Sequence, residues 1–190
     1  MKSYVINLKE STERLAQFRE NQFPFEVQRF DALRGSCGVE GNCLSIRSLL
    51  SQVTEFPVAI FEDDCVMLEN WMVVERAMAE LPEDADALWL GATLTKPLER
   101  YSDYLFRLKR AYTTHAIVYY SKRMVDYILN LHVPTGVALD VFYFMHVQEK
   151  FNCFITDPIC ATQRDGVSDI DGRDMKYYNY IIDSYNKFTK

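Results

Sequence analysis

Four apolar residues, Val58-Ala59-Ile60-Phe61, run without alternation straight into three acids, Glu62-Asp63-Asp64. A strand with one wet face alternates apolar and polar residues, whereas an unbroken apolar run is what a strand covered on both faces requires. Helices packed on both sides of a sheet provide that cover. The segment therefore points to an α/β fold.

The flanking sequence repeats the alternation. Tyr4-Val5-Ile6-Asn7-Leu8 reads as a strand, and Ser11 as the N-cap of a helix carrying Leu15 and Phe18 on one face. From Ser45 to Val53, the residues Ile46, Leu49, Leu50 and Val53 have the spacing of one buried helical stripe, which Pro57 ends. A helix is expected from Trp71 to Leu81, stopping at Pro82, then a buried strand over Ala87-Leu88-Trp89-Leu90-Gly91. Strands follow at Tyr104 to Leu108, Thr114 to Tyr120 and Asn152 to Thr156. Between them, Ser121 caps a helix bearing Met124, Ile128 and Leu131, and Leu139 to Val147 reads as another helix. The Tyr-rich tail from Lys176 to Phe188 has near-helical spacing, and Trp71 and Trp89 read as core.

At 190 residues and 48% hydrophobic the chain suits one compact domain, without repeats or an interdomain linker. The net charge of −6 gives no support to a nucleic-acid partner, although it does not exclude one. No apolar run approaches the roughly 20 residues of a membrane span, and the N-terminus lacks a signal-peptide pattern. Five cysteines without CxxC spacing (Cys37, Cys43, Cys65, Cys153, Cys160) read as reduced thiols in a cytoplasmic protein.

Ligands of open α/β sheets collect beyond the carboxyl ends of the strands, where Glu62, Asp63 and Asp64 stand. Carboxylates are hard ligands suited to Mg²⁺ or Mn²⁺, which in turn bind nucleotide diphosphates. A solvated acidic turn is the plainer alternative. The order of motifs adds context: Ile6-Asn7-Leu8, Ser11-Thr12-Glu13-Arg14, Asp31-Ala32, Gly41-Asn42-Cys43-Leu44-Ser45, Ile60-Phe61-Glu62-Asp63-Asp64, Leu88-Trp89-Leu90-Gly91 and Ser168-Asp169-Ile170.

That series resembles glycosyltransferase family 25, typified by lipooligosaccharide and collagen galactosyltransferases. The resemblance implies a GT-A (Rossmann-like) mixed sheet flanked by helices. It further implies a nucleotide-sugar half (about 1–95), an acceptor half (about 96–175) and a C-terminal helix (176–190). The implied activity is inverting transfer of a hexose or pentose from a UDP-sugar, dependent on Mn²⁺ or Mg²⁺ at an Asp-x-Asp-like motif. In one respect the chain departs from the family: Ser45-Ile46 stands where Ser-His is common.

On this reading Asp64 contacts the metal, Asp63 assists the metal or binds ribose, and Glu62 orients its neighbours or contacts the nucleotide. Asn7 and Arg14 are placed to meet the nucleotide, although Arg14 reads equally as a solvated helix charge. Asp140 resembles the family's Pro-x-Asp segment and is the candidate general base or acceptor contact, against a plain helix N-terminal acid. His115 is a candidate metal ligand, with a structural histidine the commoner alternative; His132 and His146 carry less signal. Gln163, Arg164, Asp165, Ser168 and Asp169 form a polar loop that could fold over donor phosphate.

Two other functions keep the same residues: a metal-dependent phosphoester hydrolase, and a non-catalytic module that binds nucleotide-sugar or glycan. The acceptor is a saccharide hydroxyl, as in lipopolysaccharide biosynthesis, or a hydroxylated polymer such as collagen-like protein or modified DNA.

Overall fold

A computed structural model of the chain describes residues 1–167 and 174–189. The opening β-α unit is present: β1 (Lys2–Asn7) leads through α1 (Thr12–Phe18) to β2 (Gln28–Asp31), and α2 (Gly38–Gln52) leads to β3 (Val58–Glu62). There follow β4 (Cys65–Met67), α3 (Trp71–Ala79), β5 (Ala87–Trp89), β6 (Thr93–Leu94), β7 (Glu99–Arg100), β8 (Leu105–Arg107) and β9 (Ala111–Tyr112). The chain continues with β10 (Ala116–Tyr119), α4 (Lys122–Asn130), α5 (Leu139–His146), β11 (Cys153–Thr156) and β12 (Ala161–Gln163). It ends with β13 (Gly166–Val167), β14 (Asp174–Met175) and α6 (Tyr177–Phe188).

Eight strands form one mixed sheet in the order β2-β1-β3-β10-β5-β11-β8-β7. β1 is parallel to both β2 and β3, while β10 runs antiparallel between β3 and β5. The expected nucleotide and acceptor halves thus share this sheet, since β10 belongs to the second and is inserted between two strands of the first.

Burial follows the alternation of each strand. Val58 and Ile60 pack with Ile46, Leu49 and Leu50 of α2, together with α4, α5 and α6, on one face. Ala59 and Phe61 pack with Leu15 and Phe18 of α1 and with Trp71 and Val74 of α3 on the other. All four residues of the apolar run are at most 2% exposed, the two-sided cover that the lack of alternation demanded. Trp71 and Trp89 are core, and Ser121 caps α4, its hydroxyl accepting from the Met124 N–H at 3.3 Å.

Some boundaries moved. α2 starts at Gly38, seven residues before Ser45, and the low helical propensity of Gly38 and Gly41 in its first turn is what conceals that start in the sequence. Gly41 is needed there, since a Cβ would sit 2.9 Å from the Leu33 carbonyl. α3 ends at Ala79 rather than Leu81. Ser11 occupies the N-cap position of α1 without a side-chain capping bond. All five cysteines are free, and among the described residues no helix is long and apolar enough to cross a membrane.

Candidate functional site

Ile6 of β1 and Glu62 of β3 are register partners, so Asn7 and Asp63 leave the sheet side by side at its carboxyl edge. The Asn7 amide donates to Asp63 Oδ2 at 2.7 Å and to the Ser11 carbonyl at 2.9 Å. One side chain thereby joins β1, the start of α1 and the acidic cluster. Arg14 reaches in from the first turn of α1, its guanidinium 2.7 Å from Asp63 Oδ1 and 3.5 Å from Asp64 Oδ2.

From the far end of the sequence, β12 pairs antiparallel with β4, with Gln163 opposite Cys65. The Gln163 amide donates to Asp64 Oδ2 at 3.2 Å, and the Arg164 N–H to the Asp64 carbonyl at 2.8 Å. Glu62 accepts from the Thr114 hydroxyl at 2.7 Å. Asn7, Arg14, Glu62, Asp63, Asp64, Gln163 and Arg164 line a cleft of about 620 Å³, whose lining also includes residues 32–38 and the start of α2. Ser45 shapes that part of the lining: its hydroxyl donates to the Gly41 carbonyl at 2.6 Å and accepts from the Leu33 N–H at 2.8 Å. Ile46, next to it, is a core residue at 1% exposure.

Four residues of the cleft lining, Asn7, Asn42, Asp64 and Gln163, each carry a buried oxygen without a protein hydrogen-bond partner, Asn7 Oδ1, Asn42 Oδ1, Asp64 Oδ1 and Gln163 Oε1. Buried acceptors are normally satisfied by protein or water, so this wall of the cleft is rich in unmet acceptors. Burial is the main force lifting the Asp64 carboxyl to about 6; Asp63 adds to it, while Arg14 and Gln163 oppose it. Burial likewise lifts Glu62, to about 8, helped by the charges of Asp64 and Asp140 and opposed by hydrogen bonds from Thr114 and Asn42. Positive charge brought next to these carboxyls would favour their ionised forms.

The structure therefore brings together Asn7, Arg14, Glu62, Asp63, Asp64 and Gln163. Two other candidates stand apart. His115 is fully buried outside the cleft lining, its ring against Gly91, where an added Cβ would lie 3.2 Å from Nε2. Burial pushes its imidazole down to about 4. Asp140, in the first turn of α5, is also outside the lining and accepts from the N–H groups of Val141 at 2.7 Å and Thr113 at 3.2 Å. Arg164 and Asp165 line the cleft, whereas Ser168 and Asp169 lie outside the described residues.

Sequence reasoning gave Asn42 and Thr114 no role. Asn42 lay inside a quoted motif and Thr114 beside a histidine, but only the folded chain places both on Glu62. Thr113, a β-branched residue at φ 75°, marks local strain between Glu62 and Asp140. Among the described residues no three His, Cys, Asp or Glu side chains are grouped to hold a metal ion.

No protein-family model and no curated protein matches the chain. Among solved structures it is similar to the crystal structure of A197 from STIV, at 11% sequence identity and a TM-score of 0.54, over 89% of this chain and 87% of that one. At that identity the likeness concerns the fold, a mixed α/β sheet flanked by helices.

Proposed function

We propose that the chain is a metal-dependent glycosyltransferase that moves a hexose or pentose from a UDP-sugar to an acceptor hydroxyl with inversion. The observation that carries this reading is the cleft floor, where three consecutive acids end a doubly covered strand and Asn7, Asn42 and Gln163 add three buried, unpartnered oxygens to that of Asp64. Its position beyond the carboxyl ends of three parallel strands is where open α/β sheets bind nucleotides.

The donor atoms fit Mg²⁺ or Mn²⁺, which take oxygen ligands, commonly one or two carboxylates completed by substrate phosphates. Asp64 is the residue to hold the ion, because Oδ1 is free of protein partners while Oδ2 is held by Gln163 and Arg14. The bound ion supplies Lewis-acid stabilisation of the leaving diphosphate. Asp63, tied to Asn7 and Arg14, fixes the direction in which its neighbour points. Arg14 adds positive charge on the same wall. Asp140, held by the Thr113 and Val141 N–H groups, is the proposed base, which requires the acceptor to reach beyond the cleft lining to meet it; the acceptor is a saccharide or a hydroxylated polymer.

Calorimetry with UDP-sugars, with and without Mn²⁺, tests the reading. Metal-dependent donor binding is expected in the wild type and loss of its metal-dependent part in Asp64→Ala. Undiminished metal-dependent affinity in that variant removes Asp64 from the ion. Donor consumption without acceptor points instead to a hydrolase, and binding without turnover to a non-catalytic module.

A further inference from the structure

We propose that Gln163 is a second protein ligand of the divalent cation, its amide oxygen joining Asp64 Oδ1 from the opposite strand of the β4–β12 pair. The inference rests on the metal of the proposed function and adds a residue from the far end of the sequence to its site.

Three observations carry it. Gln163 is 6% exposed, and its Oε1 has no hydrogen-bond partner although it lines the acidic cleft. A neutral amide buried with its acceptor unmet loses the hydration of that oxygen, a cost of roughly 1–3 kcal/mol that a ligand offsets. Second, the side chain is already fixed beside Asp64: its Nε2 donates to Asp64 Oδ2 at 3.2 Å, so the two unpartnered oxygens belong to one bonded pair of side chains. Third, the backbone locks the pair, through the Gln163 register with Cys65 and the 2.8 Å bond from the Arg164 N–H to the Asp64 carbonyl. A ligand set gains most when its members are held before the ion arrives.

The chemistry agrees. Amide and carboxylate oxygens are hard donors, and one anionic plus one neutral ligand leaves positions for diphosphate oxygens and water. Arg14 and the Gln163 amide hydrogens occupy Asp64 Oδ2, which leaves Oδ1 to the ion.

The test reads the metal and not the turnover. Mn²⁺ binding to the nucleotide-free protein is titrated by electron paramagnetic resonance. Inner-sphere waters on bound Tb³⁺ are counted from luminescence lifetimes in H₂O and D₂O. Gln163→Leu is expected to weaken Mn²⁺ by at least the roughly 10- to 100-fold typical of losing a supporting residue, and to admit one more water to Tb³⁺. The near-isosteric Gln163→Glu, which keeps the shape and adds charge, is expected to bind Mn²⁺ more tightly than wild type. Asp64→Asn serves as the control. Unchanged affinity and water count in Gln163→Leu, with binding lost in Asp64→Asn, overturns the assignment of Gln163 and leaves the metal site standing. Should Gln163→Leu fail to fold, equal or weaker Mn²⁺ binding by Gln163→Glu overturns it. Failure of wild-type protein to bind either ion overturns the metal itself.

Discussion

Burial has taken His115 out of the metal shell and given it a different consequence. Its imidazole is held down to about 4 from the ordinary 6.5, so between those values the unfolded chain binds the proton and the folded chain does not. The contribution of His115 to stability is therefore complete above pH 6.5 and falls as the pH drops toward 4. Urea denaturation at pH 8 and pH 5 should show the wild type losing about 2 kcal/mol relative to a folded His115→Gln variant, a difference that leaves out the opposite contribution of the raised Glu62 and Asp64 carboxyls because both proteins share it. The same pH dependence in both proteins assigns the acid sensitivity elsewhere. Asp140 is tested by kinetics. Asparagine keeps its shape but cannot take the acceptor proton, so Asp140→Asn should slow transfer roughly 10²- to 10⁴-fold while donor affinity holds. Unchanged turnover would make it a plain helix-terminal acid; lost donor binding would place it on the donor side.

At the scale of elements, the segment just after β5 meets β12 at close quarters, the Ala161 N–H donating to the Leu90 carbonyl at 2.9 Å. A Cβ on Gly91 would lie 1.9 Å from the Ala161 carbonyl oxygen, and that oxygen is backbone that cannot swing aside. Gly91→Ala should cost about 3 kcal/mol in thermal or denaturant unfolding, the upper end for overpacking, and should displace β12 with Gln163 on it. A stable variant with intact Mn²⁺ binding would contradict this. The same pair shows what the sequence could and could not tell. β3 was legible because four consecutive apolar residues leave a strand no wet face, and Asn7 and Asp63 because both end strands. The β4–β12 pair was not: each strand has three residues, too few for a period, and its members are about 100 residues apart in sequence. The donation of Gln163 to Asp64 depends on that register, so only its general membership of a polar loop was readable. α2 was half legible, its stripe plain and its glycine-rich start hidden.

For the molecule as a whole, the cysteines give a direct check on packing. Cys37 is exposed and the other four thiols are buried, with burial pushing those of Cys153 and Cys160 far above the ordinary range. Thiol titration should find one fast-reacting group in the native protein and five in denaturant. A missing pair under denaturing, non-reducing conditions would reveal a disulfide. The strand order has an effect at an earlier stage, during synthesis. β3 leaves the ribosome with β1 as a partner for one edge only, because its other neighbour, β10, lies more than fifty residues downstream. At roughly 5–20 residues per second, an apolar ribbon with an open edge waits for seconds. A fragment of residues 1–95 should accordingly aggregate or bind hydrophobic dye and should not unfold cooperatively; a soluble fragment with a sharp transition would refute this. An open apolar edge of that kind is what aggregation acts on, so substitutions that weaken β10 should lower the yield in cells more than the stability of the molecules that do fold.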